Sequence, residues 1–170
     1  LSVDLSLQYQ TVSDLSRKIS QKSFLNLVKM NKAYRKESPV LWCTECQTSI
    51  AQAELETKEC ETTFNYLIFR TPLGELLIAT TRPELLSGCV CIFVHPKDTR
   101  YTDFIGENAL VPLYDYEIPI MADEGVSMEK GTGAVMCATF GDAADMEWFK
   151  KYNLPSKEIV MSNGIIRHDI

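Results

Sequence analysis

Apolar and polar residues change over in short runs along most of this chain, and only two longer stretches carry a helical period. Thr11-Val12-Ser13-Asp14 offers helix-start chemistry, and the spacing predicts a helix from there to about Tyr34. Val12, Leu15 and Ile19 share one face. Phe24, Leu25, Leu27 and Val28 then spread apolar residues around most of the circumference, so the second half wants burial on two sides. Such a helix reads as detached from a neighbour outside this chain. The second helix runs from Asp142 to about Tyr152, with Asn153 and Pro155 as its stop.

The remaining pattern is strand-like. Pro39 begins a new texture, with Val40-Leu41-Trp42 as a short strand ahead of Cys43-Thr44-Glu45-Cys46, and an acidic, solvated stretch over 54–61. Phe64 to Arg70 and Glu75 to Thr81 form two strands joined by the turn Thr71-Pro72-Leu73-Gly74. Arg82-Pro83-Glu84 interrupts the second strand, and Glu84-Leu85-Leu86 makes one short turn closed by Gly88. Cys89 to Val94 is an apolar strand ended by His95-Pro96. Ala109 to Leu113, Glu117 to Met121 and Ala134 to Thr139 follow. Glu158 to Met161 and Ile165 to Arg167 flank Asn163-Gly164, a strong hairpin signal. Many short strands, few helices and no regular βαβ alternation point to a mixed α/β fold. Its core is a mixed β-sheet curled toward a small barrel, with peripheral helices. The expected division is a helical segment over 1–38 and a second domain over 39–170, with 39–60 as a connecting β segment.

Composition narrows the class. An apolar fraction of 45% in 170 residues is enough for a real core, and no apolar run reaches the roughly 20 residues a bilayer span needs. The chain starts at Leu1 without a targeting stretch, which suggests a piece of a longer protein. Net charge is −6, but residues 1–40 hold seven Lys or Arg against three Asp or Glu, and the rest holds ten against twenty. An acidic body is a poor partner for duplex phosphate, so a nucleic-acid substrate would touch it only through an end. Cys89, Cys91 and Cys137 lie in apolar strand-like runs and read as core thiols rather than disulfides.

Four places carry possible chemistry. Thr80-Thr81-Arg82 ends a strand with two hydroxyls and a guanidinium, able to hold a carbonyl, a ribose or a phosphate; a plain β-branched strand end is the bland alternative. Gly131-Thr132-Gly133 enters a strand and allows close approach of a backbone or ligand, but no Lys-Ser or Lys-Thr makes it a phosphate loop, and a tight bend reads as well. Asp142 fits a helix N-cap, and Asp145 stands three positions on, where an acid complements the helix dipole. Such a carboxylate is also well held and can receive a substrate ammonium. Cys43-x-x-Cys46 supplies two of the four ligands of a structural zinc, so this chain holds at most half a site. His95 and His168 lack ligand spacing and a nucleophile partner. With no Gly-x-Ser-x-Gly elbow, hydrolysis here would not pass through a covalent enzyme intermediate.

Taken in order, Tyr34-Arg35-Lys36, Trp42-Cys43-x-x-Cys46, Thr80-Thr81-Arg82-Pro83-Glu84, His95-Pro96-x-Asp98-x-Arg100-Tyr101, Ile118-Pro119-Ile120, Asp123-Glu124 and Gly131-Thr132-Gly133-Ala134-Val135 resemble the editing insertion of class I valyl-tRNA synthetases. The leucyl and isoleucyl insertions are the nearest alternatives, the isoleucyl type usually lacking the Arg of Thr-Arg-Pro-Glu and the leucyl type usually having Asp at Glu84. The resemblance implies a double sieve. A synthetic pocket for valine rejects the near-isostere threonine only about a hundredfold, an established figure for these enzymes, so a second site hydrolyses threonyl esters from tRNA. It implies that Asp142 binds the α-amino group and that Asp145 lies close to the amino acid pocket. Thr80, Thr81 and Arg82 would contact the terminal adenosine and the ester, and Gly131, Thr132 and Gly133 would border the pocket. It further implies a cytoplasmic setting, no cofactor for editing, ATP only for a catalytic domain absent from this chain, and no membrane. The partners implied are the single-stranded acceptor end of tRNA and the remainder of the parent synthetase; a non-catalytic module that only positions the tRNA end is the competing class. Many bacterial members read Lys-x-Thr-Pro-Ala-His-Asp where this chain has Met136-Cys137-Ala138-Thr139-Phe140-Gly141-Asp142, which resembles an archaeal style. Thr139 would then be the hydroxyl for threonine only if the strand turned it inward.

Overall fold

The structure, a computed structural model, describes residues 3–4, 6–36 and 39–167, so His168 lies outside it. The chain divides into two units, Leu1–Pro39 and Val40–Ile170.

The first unit is one helix, α1 (Asp14–Lys29), capped by Ser13, whose hydroxyl accepts from the Ser16 amide at 3.2 Å. It ends five residues before the predicted Tyr34. Asn31 takes φ 55°, and the amides of Asn31 and Lys32 turn back to the carbonyls of Val28 and Leu27. That is a left-handed helix stop, and Asn enters it more readily than other non-glycine residues. No residue of α1 is buried, and Val12, Leu15, Ile19, Phe24 and Leu25 all stand exposed.

The second unit opens with a two-stranded ribbon, β1 (Trp42–Cys43) against β2 (Thr48–Ser49), with the Cys-x-x-Cys segment in its turn. The main sheet has six strands: β3 (Asn65–Thr71), β4 (Gly74–Thr80), β5 (Cys89–Val94), β6 (Asn108–Leu110), β7 (Glu117–Ala122) and β8 (Ala134–Ala138). Their spatial order is β4-β3-β6-β7-β5-β8, antiparallel except for β5 beside β7. The outer strands β4 and β8 also approach each other, so the sheet curls into a nearly closed barrel, as the strand count predicts. α2 (Ala143–Tyr152) packs outside β5 and β8.

Strand β5 explains why its sequence is apolar throughout. Ile92 and Val94 point into the barrel with Phe69, Ile78 and Ile120, whereas Val90, Cys91 and Phe93 meet Trp148 of α2. A register shift between Cys89 and Cys91 lets neighbouring residues face the same layer. Cys89, Cys91 and Cys137 are buried free thiols, and burial pushes Cys91 up to about 12, so it stays protonated.

Two expected elements shrink. β6 stops at Leu110 rather than Leu113, because Leu113 takes φ 70° at 89% exposure. The hairpin around Asn163-Gly164 reduces to one bridge, Val160 with Ile166. Its turn instead packs on the Cys-x-x-Cys ribbon: Trp42 Nε1 donates to the Ser162 carbonyl at 2.8 Å. Among the described residues, no helix is long and apolar enough to cross a membrane.

Candidate functional site

The end of β4, the end of β8 and the start of α2 converge on a cavity of about 370 Å³. Thr80, Thr81 and Arg82 line one side, and Asp142 and Asp145 line another. Five of the eight residues that the resemblance assigns to the substrate site therefore share one cavity. Met136 and Ala138 supply an apolar floor, and Phe64, Trp148 and Lys130 complete the walls.

The strand-end side is held by Arg82. The Thr80 hydroxyl accepts from the Arg82 amide at 3.1 Å, turning the chain out of β4 before Pro83 starts a short 3-10 helix, Pro83–Gly88. The Arg82 guanidinium meets Glu84 at 3.1 Å and donates to the Gly141 carbonyl at 2.8 Å. It thus ties the β4 exit to the loop that precedes α2, across 59 positions of sequence.

The acidic side is a reciprocal helix cap. Asp142 adopts extended backbone and its Oδ1 accepts from the Asp145 amide at 2.9 Å. The Asp145 carboxylate in turn receives the Asp142 amide, together with the Ala138 amide and the Cys137 thiol. Asp142 is exposed, but Asp145 is buried. Burial pushes the Asp145 carboxyl up to about 6, the charge of Asp142 adds to this, and those hydrogen bonds offset part of it. Gly141 is required beside it: a Cβ there would collide with Asp145 Oδ2.

The helix carrying these acids is anchored from below. The buried Asp123 accepts from Lys151 Nζ at 2.6 Å, Tyr152 OH at 2.7 Å and the Gly125 amide at 2.7 Å. Burial alone would raise this carboxyl, but these bonds and one from Trp148 outweigh it and hold the group well below the ordinary carboxylate range. Phe93 stacks on Trp148 with ring centroids 4.6 Å apart.

Gly131, Thr132 and Gly133 do not line the cavity. Gly131 (φ 62°) lies where a Cβ would come within 2.8 Å of Ala79 Cβ, so it lets the loop press on β4. Thr139 also faces elsewhere: its hydroxyl accepts from the Lys157 amide at 3.1 Å. It is therefore not the inward hydroxyl that the sequence left open. Sequence reasoning missed Lys130, Phe64 and Trp148. For Trp148 a signal existed, since Asp142, Asp145 and Trp148 recur every three positions along one helical face.

Comparisons place this architecture. The leucyl-tRNA synthetase editing-domain family model matches residues 97–168. The valine–tRNA ligase of Rickettsia rickettsii (strain Sheila Smith) is 52% identical over 167 residues, covering 98% of this chain and 21% of the relative. That of Wolbachia sp. subsp. Brugia malayi (strain TRS) is 47% identical over 170 residues, covering 99% of this chain and 20% of the relative. The chain thus spans about a fifth of the length of these relatives. In fold it is similar to the LeuRS of Agrobacterium radiobacter K84, solved in a ternary complex with tRNA and LeuAMS, at a TM-score of 0.51 and 18% identity, covering 92% of this chain and 29% of that one. With half its residues shared over nearly its whole length, the chain belongs to the valine–tRNA ligase family and is the editing-domain part of it.

Proposed function

We propose that this domain hydrolyses threonine wrongly esterified to the acceptor end of valine tRNA. The observation that carries the reading is the single cavity in which two strand-end hydroxyls and Arg82 face a pair of carboxylates at a helix start. The acids receive the α-ammonium of the misattached residue. Asp142 has one oxygen in its cap and one to spare, and Asp145 is the deeper of the two. A buried carboxylate with a raised pKa gains most from an incoming cation, so Asp145 shares the anchoring role first given to Asp142.

Fixing the ammonium sets the ester carbonyl beside an attacking water, and positioning of this kind lowers a barrier by several kcal/mol. Thr80 and Thr81 offer hydroxyls to the ester or the ribose. Met136 and Ala138 are apolar where a polar floor would bind the threonine hydroxyl, so that contact falls to Thr81 or the spare oxygen of Asp142. A net charge of −6 suits a partner that enters only as a single-stranded end.

The test is deacylation of threonyl- and valyl-tRNA for valine by the full-length synthetase. Threonyl ester should be cleaved and valyl ester largely spared. Equal rates, or none above buffer, would leave a module that only positions the tRNA end.

A further inference from the structure

The reading above leaves the run His95-Pro96-x-Asp98-x-Arg100-Tyr101 without a part, although it stands outside the cavity as a built feature. Asp98 is buried, and its two oxygens meet the Arg100 guanidinium as a fork, Nε to Oδ1 at 2.9 Å and Nη2 to Oδ2 at 2.6 Å. The same Nη2 donates to the Met128 carbonyl at 2.8 Å. One residue on, the Tyr101 hydroxyl donates to the Thr132 carbonyl at 2.6 Å. The two pinned carbonyls bracket Glu129, Lys130 and Gly131.

The other side of this loop is held as well. Gly131 presses on Ala79 of β4, two residues before Thr81. Gly133 (φ 85°) leaves the space that Arg100 fills, since a Cβ there would stand 2.5 Å from Nη2. Lys130 therefore sits at the apex of a segment fixed from two directions, and it lines the cavity. Arg82, the other cation of the cavity wall, is committed to Glu84 and Gly141, whereas the Lys130 ammonium has no such partner among the described residues.

We propose that Asp98, Arg100 and Tyr101 are positioning residues that clamp the Met128–Thr132 segment against β4, so that Lys130 meets a backbone phosphate of the entering acceptor end. This rests on the editing reading and deepens it. An ammonium suits this contact because it recognises phosphate as a point charge and needs no second hydrogen bond in a fixed plane. A clamped loop also presents that charge without a backbone ordering cost on binding.

The experiment is a double-mutant cycle in the full-length synthetase with Tyr101→Phe and Lys130→Gln, read as KM and kcat for threonyl-tRNA deacylation. Tyr101→Phe removes one hydroxyl and keeps the ring, and Lys130 is exposed, so both variants should fold. Each should raise KM roughly three- to tenfold with kcat within about twofold, the range of one hydrogen bond or one phosphate contact. Lys130→Gln should also flatten the salt dependence of KM by about one unit of log–log slope. In the Lys130→Gln background, Tyr101→Phe should cost nothing further, which a merely structural tyrosine would not produce. Unchanged KM in Tyr101→Phe, or losses that add in the double variant, overturns the clamp while leaving editing intact. A wild-type enzyme without deacylation overturns the editing reading and the clamp with it.

Discussion

At the scale of single residues, the two acids of α2 do different work, and substitution separates them. Asn caps a helix as well as Asp, so Asp142→Asn should move the thermal midpoint little. If the spare oxygen of Asp142 holds an ammonium, deacylation should fall about ten- to a hundredfold, the equivalent of one charged hydrogen bond. A normal rate would leave Asp142 its cap alone and put the ammonium on Asp145. Asp145 carries its own signature in pH. Its carboxyl titrates at about 6 in the fold against an ordinary 3.8. Between those values the folded state keeps a proton that the unfolded chain has released. This group's contribution to stability therefore falls as pH rises from about 4 to about 6, by on the order of 3 kcal/mol, and is level above. Asp145→Asn should remove that decline, so thermal midpoints across this window should shift in the variant's favour as pH rises. If Asp145 receives the ammonium, wild-type kcat/KM for deacylation should show an acid limb near pH 6, because only the ionised group can pair with it. A flat profile would take Asp145 out of the site. The Asp142 cap was legible from Asp-x-x-Asp before a periodic run. The burial of Asp145 was not, because it depends on Gly141 and the end of β8 closing over it.

At the scale of elements, the loop between β8 and α2 is where local and distant constraints meet. Phe140 takes φ 61° and sets its ring edge-on to Phe149, with centroids 4.8 Å apart. Gly141 follows with its carbonyl on Arg82 and no room for a side chain. Gly141→Ala should displace the Asp145 carboxylate, cost about 1–3 kcal/mol in urea unfolding, and lower deacylation at least about tenfold. Unchanged kinetics would mean that the loop has slack and Asp145 does not depend on it. Elements with strong local signals were readable: the β3–β4 turn, the apolar β5, and α2 from its cap to Asn153. The end of α1 at Asn31 is a local left-handed stop whose signal was present but outweighed by the apolar period running past it. The Asn163-Gly164 hairpin went the other way. Its turn forms, with the Gly164 amide on the Met161 carbonyl at 2.8 Å, but its strands find no sheet to extend.

At the scale of the whole molecule, the ribbon bearing Cys43 and Cys46 makes a prediction about metal. The Cys46 amide donates to Cys43 Sγ at 3.4 Å, an arrangement suited to a metal-bound thiolate, and the turn offers two of the four ligands a tetrahedral zinc takes. Among the described residues no group of three or more metal-binding side chains exists. Metal analysis of the purified 170-residue chain should therefore show well under one zinc per molecule; stoichiometric zinc would mean that more than these two ligands are available to it. The sequence alone determined most of the strands of the main sheet, the start of each helix, the class of fold and the family. Strand periodicity, turn chemistry and ordered motifs act over a few residues, and their signals survive in one dimension. Only the tertiary structure decided that β5 lies parallel to β7, that β4 and β8 are the strands that nearly close the barrel, and that Arg82 reaches Gly141. The same closure brought Lys130 to the cavity and turned Gly131, Thr132 and Gly133 away from it. Those outcomes depend on which buried faces fit together across long separations, and hydrophobic burial, being non-directional, leaves that choice to packing and hydrogen-bond geometry.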